Sequence, residues 1–131
     1  KVIFPLHPST NKKIKDYKIK STINFIGPLD YFQTIKYLLS ADLVITDSGG
    51  LQKEAFFAET KCITIRNETE WNELVKANVN LLCNKSKDDI WKKYQLINEK
   101  KCDFSPQLFG NGKAAKIIVK NILEYLTNDF N

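Results

Sequence analysis

The sequence predicts an α/β domain, built as a parallel sheet with helices on both faces. Three observations carry this. Short apolar runs such as Leu43-Val44-Ile45-Thr46 and Cys62-Ile63-Thr64-Ile65 alternate with segments whose apolar residues recur at helical spacing. The runs are too uniformly apolar for a half-exposed strand, which places them inside a covered sheet. Turn formers follow the runs: Pro5 and Pro8, Gly27-Pro28, and Asp47-Ser48-Gly49-Gly50. At 131 residues the chain is long enough to bury one core as a single domain.

Taken in order, Val2-Ile3-Phe4-Pro5-Leu6 reads as a strand whose flanking prolines end it and fix the turn presenting His7. Ser9 is placed to cap a charged helix running to Asp16. Ile23-Asn24-Phe25-Ile26 is the second strand. Asp30 and Gln33 have capping-box spacing, and the helix they open runs to about Ala41 with Ile35, Leu38 and Leu39 on one face. Leu43 to Thr46 is the third strand. A helix from about Gly50 to Ala58 follows, with Leu51, Ala55 and Ala58 facing the sheet, joined by Phe56 or Phe57. Cys62 to Ile65 is the fourth strand, with Arg66 at its carboxyl end. A short helix over Glu70 to Lys76 leads to a fifth strand, Val79 to Cys83. Ser86 and Asp89 form a second capping box, opening a helix through Trp91, Tyr94 and Ile97. The loop from Cys102 to Gly112 carries Pro106, Gly110 and Gly112. The last helix starts near Asn111, with Ala115, Ile118, Val119, Ile122 and Leu126 as its apolar stripe.

Composition narrows the function classes. The chain is 43% hydrophobic and 27% charged, as a soluble globular protein is, and no apolar run approaches a membrane span. The net charge is +5, but the lysines are scattered, without an aromatic-interleaved basic stripe, and Arg66 is the only arginine. Nucleic acid and membranes are therefore not expected as partners. His7 is the only histidine, which excludes a multi-histidine metal site, and no metal is expected. Cys62, Cys83 and Cys102 are odd in number and widely spaced, and read as reduced thiols of a cytoplasmic protein. Lys1 leads straight into structured sequence with no signal peptide. The absence of methionine marks the chain as a piece of a longer one.

The candidate site gathers at the carboxyl ends of the strands, where parallel sheets of this class bind ligands. His7, Gly27-Pro28, Asp47-Ser48-Gly49-Gly50 and Arg66 all fall there. Ser48, Gly49 and Gly50 open a helix, whose first N–H groups lack intrahelical partners and carry partial positive charge. Glycines let an anion approach those groups closely, so the turn reads as a phosphate site or as a tight turn with nothing bound. Glu54 lies one turn on, over position 50, placed to accept from two adjacent hydroxyls such as those of a ribose, or simply solvated. No Gly-Lys-Ser/Thr and no Gly-x-Gly-x-x-Gly is present, so this is neither a Walker loop nor a dinucleotide fingerprint. Arg66 can meet a phosphate or a carboxylate such as Glu68 or Glu70. His7 can serve a ligand or hydrogen-bond the backbone of its own turn.

In order, five blocks resemble the non-hydrolysing UDP-N-acetylglucosamine 2-epimerases. They are Pro5-Leu6-His7-Pro8, Pro28-Leu29-Asp30-Tyr31, the segment from Ala41 to Ala55 with Thr46-Asp47-Ser48-Gly49-Gly50-Leu51-Gln52-Lys53-Glu54, the segment Ile63 to Trp71, and Phe109-Gly110-Asn111-Gly112-Lys113-Ala114-Ala115. The resemblance implies two Rossmann-like domains, as in GT-B glycosyltransferases, with the site between them. Residues 1–131 would be the C-terminal UDP-binding domain with the returning final helix, the N-terminal domain being absent.

It further implies interconversion of UDP-GlcNAc and UDP-ManNAc by elimination and re-addition of UDP, with no redox cofactor or metal. Ser48, Gly49 and Gly50 would hold phosphate and Glu54 the ribose. Arg66 would join the substrate site, and His7 would lie near a second, activating UDP-GlcNAc. The parent would be a cytoplasmic homodimer serving cell-surface polysaccharide synthesis. The catalytic acid and base are associated with the missing part. The chain departs from the family at Thr34, at Ala58-Glu59-Thr60-Lys61 and at Asn78. Two other readings stay open, the C-terminal domain of a UDP-sugar glycosyltransferase and a non-catalytic UDP-sugar-binding module.

Overall fold

Among the described residues five short parallel strands are laid down by alternating β and α segments, and they hydrogen-bond into two sheets. The computed structural model describes residues 1–128. In chain order the elements are β1 (Ile3–Pro5), α1 (Pro8–Asp16), β2 (Asn24–Ile26), α2 (Tyr31–Leu38) and β3 (Leu43–Thr46). Then follow α3 (Gly49–Phe57), β4 (Lys61–Ile65), α4 (Asn72–Lys76), β5 (Asn80–Cys83), α5 (Lys87–Glu99) and α6 (Ala114–Asn128). One sheet pairs β1 with β2; the other runs β3-β4-β5. Every pairing is parallel, with Thr46 opposite Thr64 and Thr64 opposite Leu82. The α/β class read from the sequence is the one observed, with the sheet divided in two.

The period-2 alternation of β4 explains how helices cover both faces of the larger sheet. Cys62 points to one face, where it packs with Leu38 of α2 and Ala55 of α3, flanked by Ile35, Val44, Leu51 and Ala58. Ile63 points to the other, against Cys83 and Ile97 of α5. Ala55, Ile63 and Ile97 are fully buried. A third cluster, Phe56 with Leu74 and Val79, closes the end of α3 against α4 and the loop carrying Phe104, Leu108 and Phe109. Burial raises the Cys62 thiol to about 12, so it is a neutral core group.

Coverage on both faces holds for β4 and weakens away from it. Ile45 of β3 remains 45% exposed, and Phe4 of β1 42%. The helix after β1, α1, carries Ile14 as its only large apolar residue and has no buried residue. The apolar stripe of α6 is bare too: Ile118, Val119 and Ile122 are more than half exposed, and no described element covers them.

Several helix ends differ from expectation by local chemistry. His7, not Ser9, caps α1, because Pro8 with its fixed φ takes the first helical position. The Asp30–Gln33 capping box is complete. At α5 Ser86 accepts from Asp89 N–H, but the Asp89 carboxylate accepts from Asn84 N–H, so the second box is only half made. The helix expected from Glu70 starts at Asn72, leaving Glu70 and Trp71 in a loop. Asn78 stands left-handed at φ 58°, closing α4 as an asparagine can, and Glu59 does the same after α3 at φ 56°.

Candidate anion site at the start of the third helix

The site begins with how the chain leaves β3. Thr46, buried at the strand end, accepts from Ser48 N–H at 3.0 Å and bends the backbone out of the sheet. Ser48 then caps α3, its Oγ accepting from Leu51 N–H at 3.4 Å. The N–H groups of Gly49 and Gly50, in the first turn, have no partner among the described residues. The Ser48 hydroxyl uses a lone pair for the cap and keeps its own hydrogen to donate. Three donors therefore gather at the positive end of a nine-residue helix, with Ser48 and Gly50 exposed.

The two glycines differ. A Cβ on Gly50 would meet nothing within 4 Å, whereas one on Gly49 would collide with the carboxylate of Glu70. Gly50 therefore leaves open space for a ligand, and Gly49 leaves space that a protein carboxylate fills. Glu54, one turn along, is partly buried and makes no hydrogen bond or ion pair among the described residues. A carboxylate held half out of water without a partner is suited to accept from hydroxyls of a ligand.

Arg66 reaches the same turn from the end of β4. Its guanidinium donates to Glu70 Oε2 at 2.9 Å, and that carboxylate is the one against Gly49. Of the two carboxylates weighed from the sequence, Glu70 is the partner. His7 stands apart at the end of the smaller sheet. Its Nδ1 lies 2.7 Å from Ser9 Oγ and accepts from Ser9 N–H, so its hydrogen bonds stay within its own turn. The structure thus gathers Ser48, Gly49, Gly50, Glu54 and Arg66 around one helix start, and His7 is not hydrogen-bonded to them.

What holds the turn rigid escaped the sequence reading. Gln52 is fully buried. Its Nε2 donates to the Ser48 carbonyl at 3.2 Å, and its Oε1 accepts from Thr69 Oγ1 at 2.6 Å and from Asn80 Nδ2 at 3.0 Å. Asn80 in turn accepts from Thr64 Oγ1 at 2.9 Å. Trp71 adds a second tie, its indole N–H donating to the Gly49 carbonyl at 2.8 Å. Lys53 sits over Trp71 and Phe109, 4.5 and 4.6 Å from the ring centroids, which fastens the glycine-rich loop to the same helix. One signal was available: Gln52 precedes buried Ala55 and Phe56 by three and four positions, so a polar residue stood on a core stripe. Among the described residues no cluster of side chains could hold a metal ion, and no helix is long and apolar enough to cross a membrane.

Comparison with known proteins converges on one group. The family model described as UDP-N-acetylglucosamine 2-epimerase matches residues 1–123. A UDP-2,3-diacetamido-2,3-dideoxy-D-glucuronate 2-epimerase of Pseudomonas aeruginosa is 39% identical over 125 residues, which are 95% of this chain and 34% of that protein. A UDP-N-acetylglucosamine 2-epimerase of Methanocaldococcus jannaschii is 37% identical over 130 residues, 95% of this chain and 35% of that protein. The crystal structure of the latter in complex with UDP-GlcNAc and UDP superposes with a TM-score of 0.80, over 94% of this chain and 35% of that one. The chain spans about a third of the length of these relatives.

Proposed function

Because this chain belongs to the UDP-N-acetylglucosamine 2-epimerase family, we propose that it is the UDP-holding part of an enzyme that interconverts UDP-GlcNAc and UDP-ManNAc. The observation that carries this is the helix start of α3, where Gly50 borders open space, the N–H groups of Gly49 and Gly50 have no partner among the described residues, and Ser48 and an unpaired Glu54 stand beside them. In the proposed reaction the C1–O bond to UDP breaks and later re-forms. Negative charge grows on the leaving diphosphate as the bond breaks. Donors already aimed at that charge stabilise it without reorganising, and they keep UDP in place for the return step. Glu54 accepts from the ribose hydroxyls, and Arg66 supplies positive charge from the strand beside the turn. No metal or redox cofactor enters this account.

The name of the Pseudomonas relative puts it on a different UDP-sugar, although it shares a high identity with this chain. That fits a division of labour in which this part holds UDP, and the sugar and the C2 proton are handled by the remaining two thirds of the relatives' length. His7 is kept as a candidate for a second UDP-sugar contact. The bare stripe of α6 suits it to pack on that remainder. We place the parent in the cytoplasm as a homodimer, feeding cell-surface polysaccharide synthesis.

Calorimetric titration tests the site. UDP should bind the chain, and inorganic pyrophosphate more weakly. Ser48→Ala should weaken both ligands. Glu54→Ala should weaken UDP alone, by about 10-fold or more, the worth of charge-assisted hydrogen bonds. Binding untouched by either substitution contradicts the assignment. For the parent, interconversion of the two UDP-sugars without any acceptor supports the epimerase, and transfer to an acceptor supports a glycosyltransferase.

A further inference from the structure

We propose that Glu70 is an internal anion, held on Arg66 and against the face of Gly49, that gives way when a diphosphate arrives; this rests on the UDP site proposed above. The geometry is specific. The Glu70 carboxylate lies so close to Gly49 that any Cβ there would collide with it. Its other oxygen accepts from Arg66 at 2.9 Å. Glu70 therefore stands beside the positive end of α3 and on the guanidinium nearest to it. A diphosphate would seek both features for the same electrostatic reason.

Two properties make the contact exchangeable. Both side chains are open to water, Arg66 at 38% and Glu70 at 46% exposure, so the pair is weakly held. Glu70 also lies in the loop before α4 rather than inside a helix, so its side chain can swing without unwinding an element. The backbone on either side stays tied. Thr69 is fixed to Gln52, and Trp71 to the Gly49 carbonyl. What moves is the side chain of Glu70, and what it releases is Arg66. A carboxylate left in place would repel the diphosphate, so its withdrawal sets the affinity for UDP.

The experiment compares the chain with Glu70→Gln, titrated calorimetrically with UDP and with uridine. Gln keeps the size of the side chain and removes its charge. UDP should bind Glu70→Gln tighter by about 2–5-fold, the range of an exposed ion pair, while uridine, which has no phosphate, should be unchanged. Arg66→Ala should cost more UDP affinity in the Glu70→Gln background than alone. UDP affinity that is unchanged or weaker in Glu70→Gln overturns the inference and makes Glu70 a support for Arg66. A gain shared by uridine overturns it as well. If the unsubstituted chain takes no UDP at all, the site reading itself fails and this inference goes with it.

Discussion

Replacing Gln52 by leucine should lower the stability of the chain by about 3 kcal/mol, although the two side chains are similar in size. Leucine would leave the Thr69 hydroxyl and the Asn80 amide without the acceptor they share in a site closed to water, and would take one donor from the half-buried Ser48 carbonyl. Each buried polar group stranded in this way costs about 1–3 kcal/mol. The apolar gain of leucine offsets part of the sum. Urea unfolding measures it, and a loss near 3 kcal/mol is large against the ordinary stability of about 5–15 kcal/mol. A loss below about 0.5 kcal/mol would show that the network is dispensable. The substitution should also loosen the turn, since Gln52 holds the Ser48 carbonyl, and UDP affinity should fall with stability.

Gly50→Ala should separate binding from stability, with effects of opposite sign. Gly50 sits inside the first turn of α3, and an added Cβ meets nothing within 4 Å. In a helix alanine is better than glycine by about 1 kcal/mol, so the variant should unfold at slightly higher urea. The methyl group would stand in the open space where the diphosphate is proposed to lie, and UDP affinity should fall by about 10-fold or more, a little over 1.4 kcal/mol. Wild-type affinity together with raised stability would place the diphosphate elsewhere.

How far these features could be read in advance depends on how local they are. The strand, turn and helix from Leu43 to Phe57 were legible because each signal lies within a few residues: an apolar run, two glycines and a helix-forming segment. So was the capping box of Asp30 and Gln33. The supports of the turn were not, because they join residues far apart in sequence. Gln52 meets Asn80 28 positions on, and Trp71 meets Gly49 22 positions back. Glu70 was named as a partner for Arg66, but its approach to Gly49 and the Trp71 bond to the Gly49 carbonyl were not, since both again join residues far apart in sequence. His7 was seen as a strand-end residue with two readings, and its hydrogen bonds fit the local one, a cap for α1 imposed by Pro8. The division of the sheet also went unseen. Apolar runs announce strands, but which strands hydrogen-bond to one another is set by contacts between distant residues that such runs do not record.

A bound diphosphate is proposed to lie against the N–H groups of Gly49 and Gly50. The most direct measurement is a two-dimensional amide spectrum of the nitrogen-15-labelled chain, recorded as UDP is added. The largest shifts should fall on Gly49 and Gly50, with smaller ones near Glu54 and Arg66. Amides of Gly49 and Gly50 that stay fixed while others move with UDP would contradict that placement.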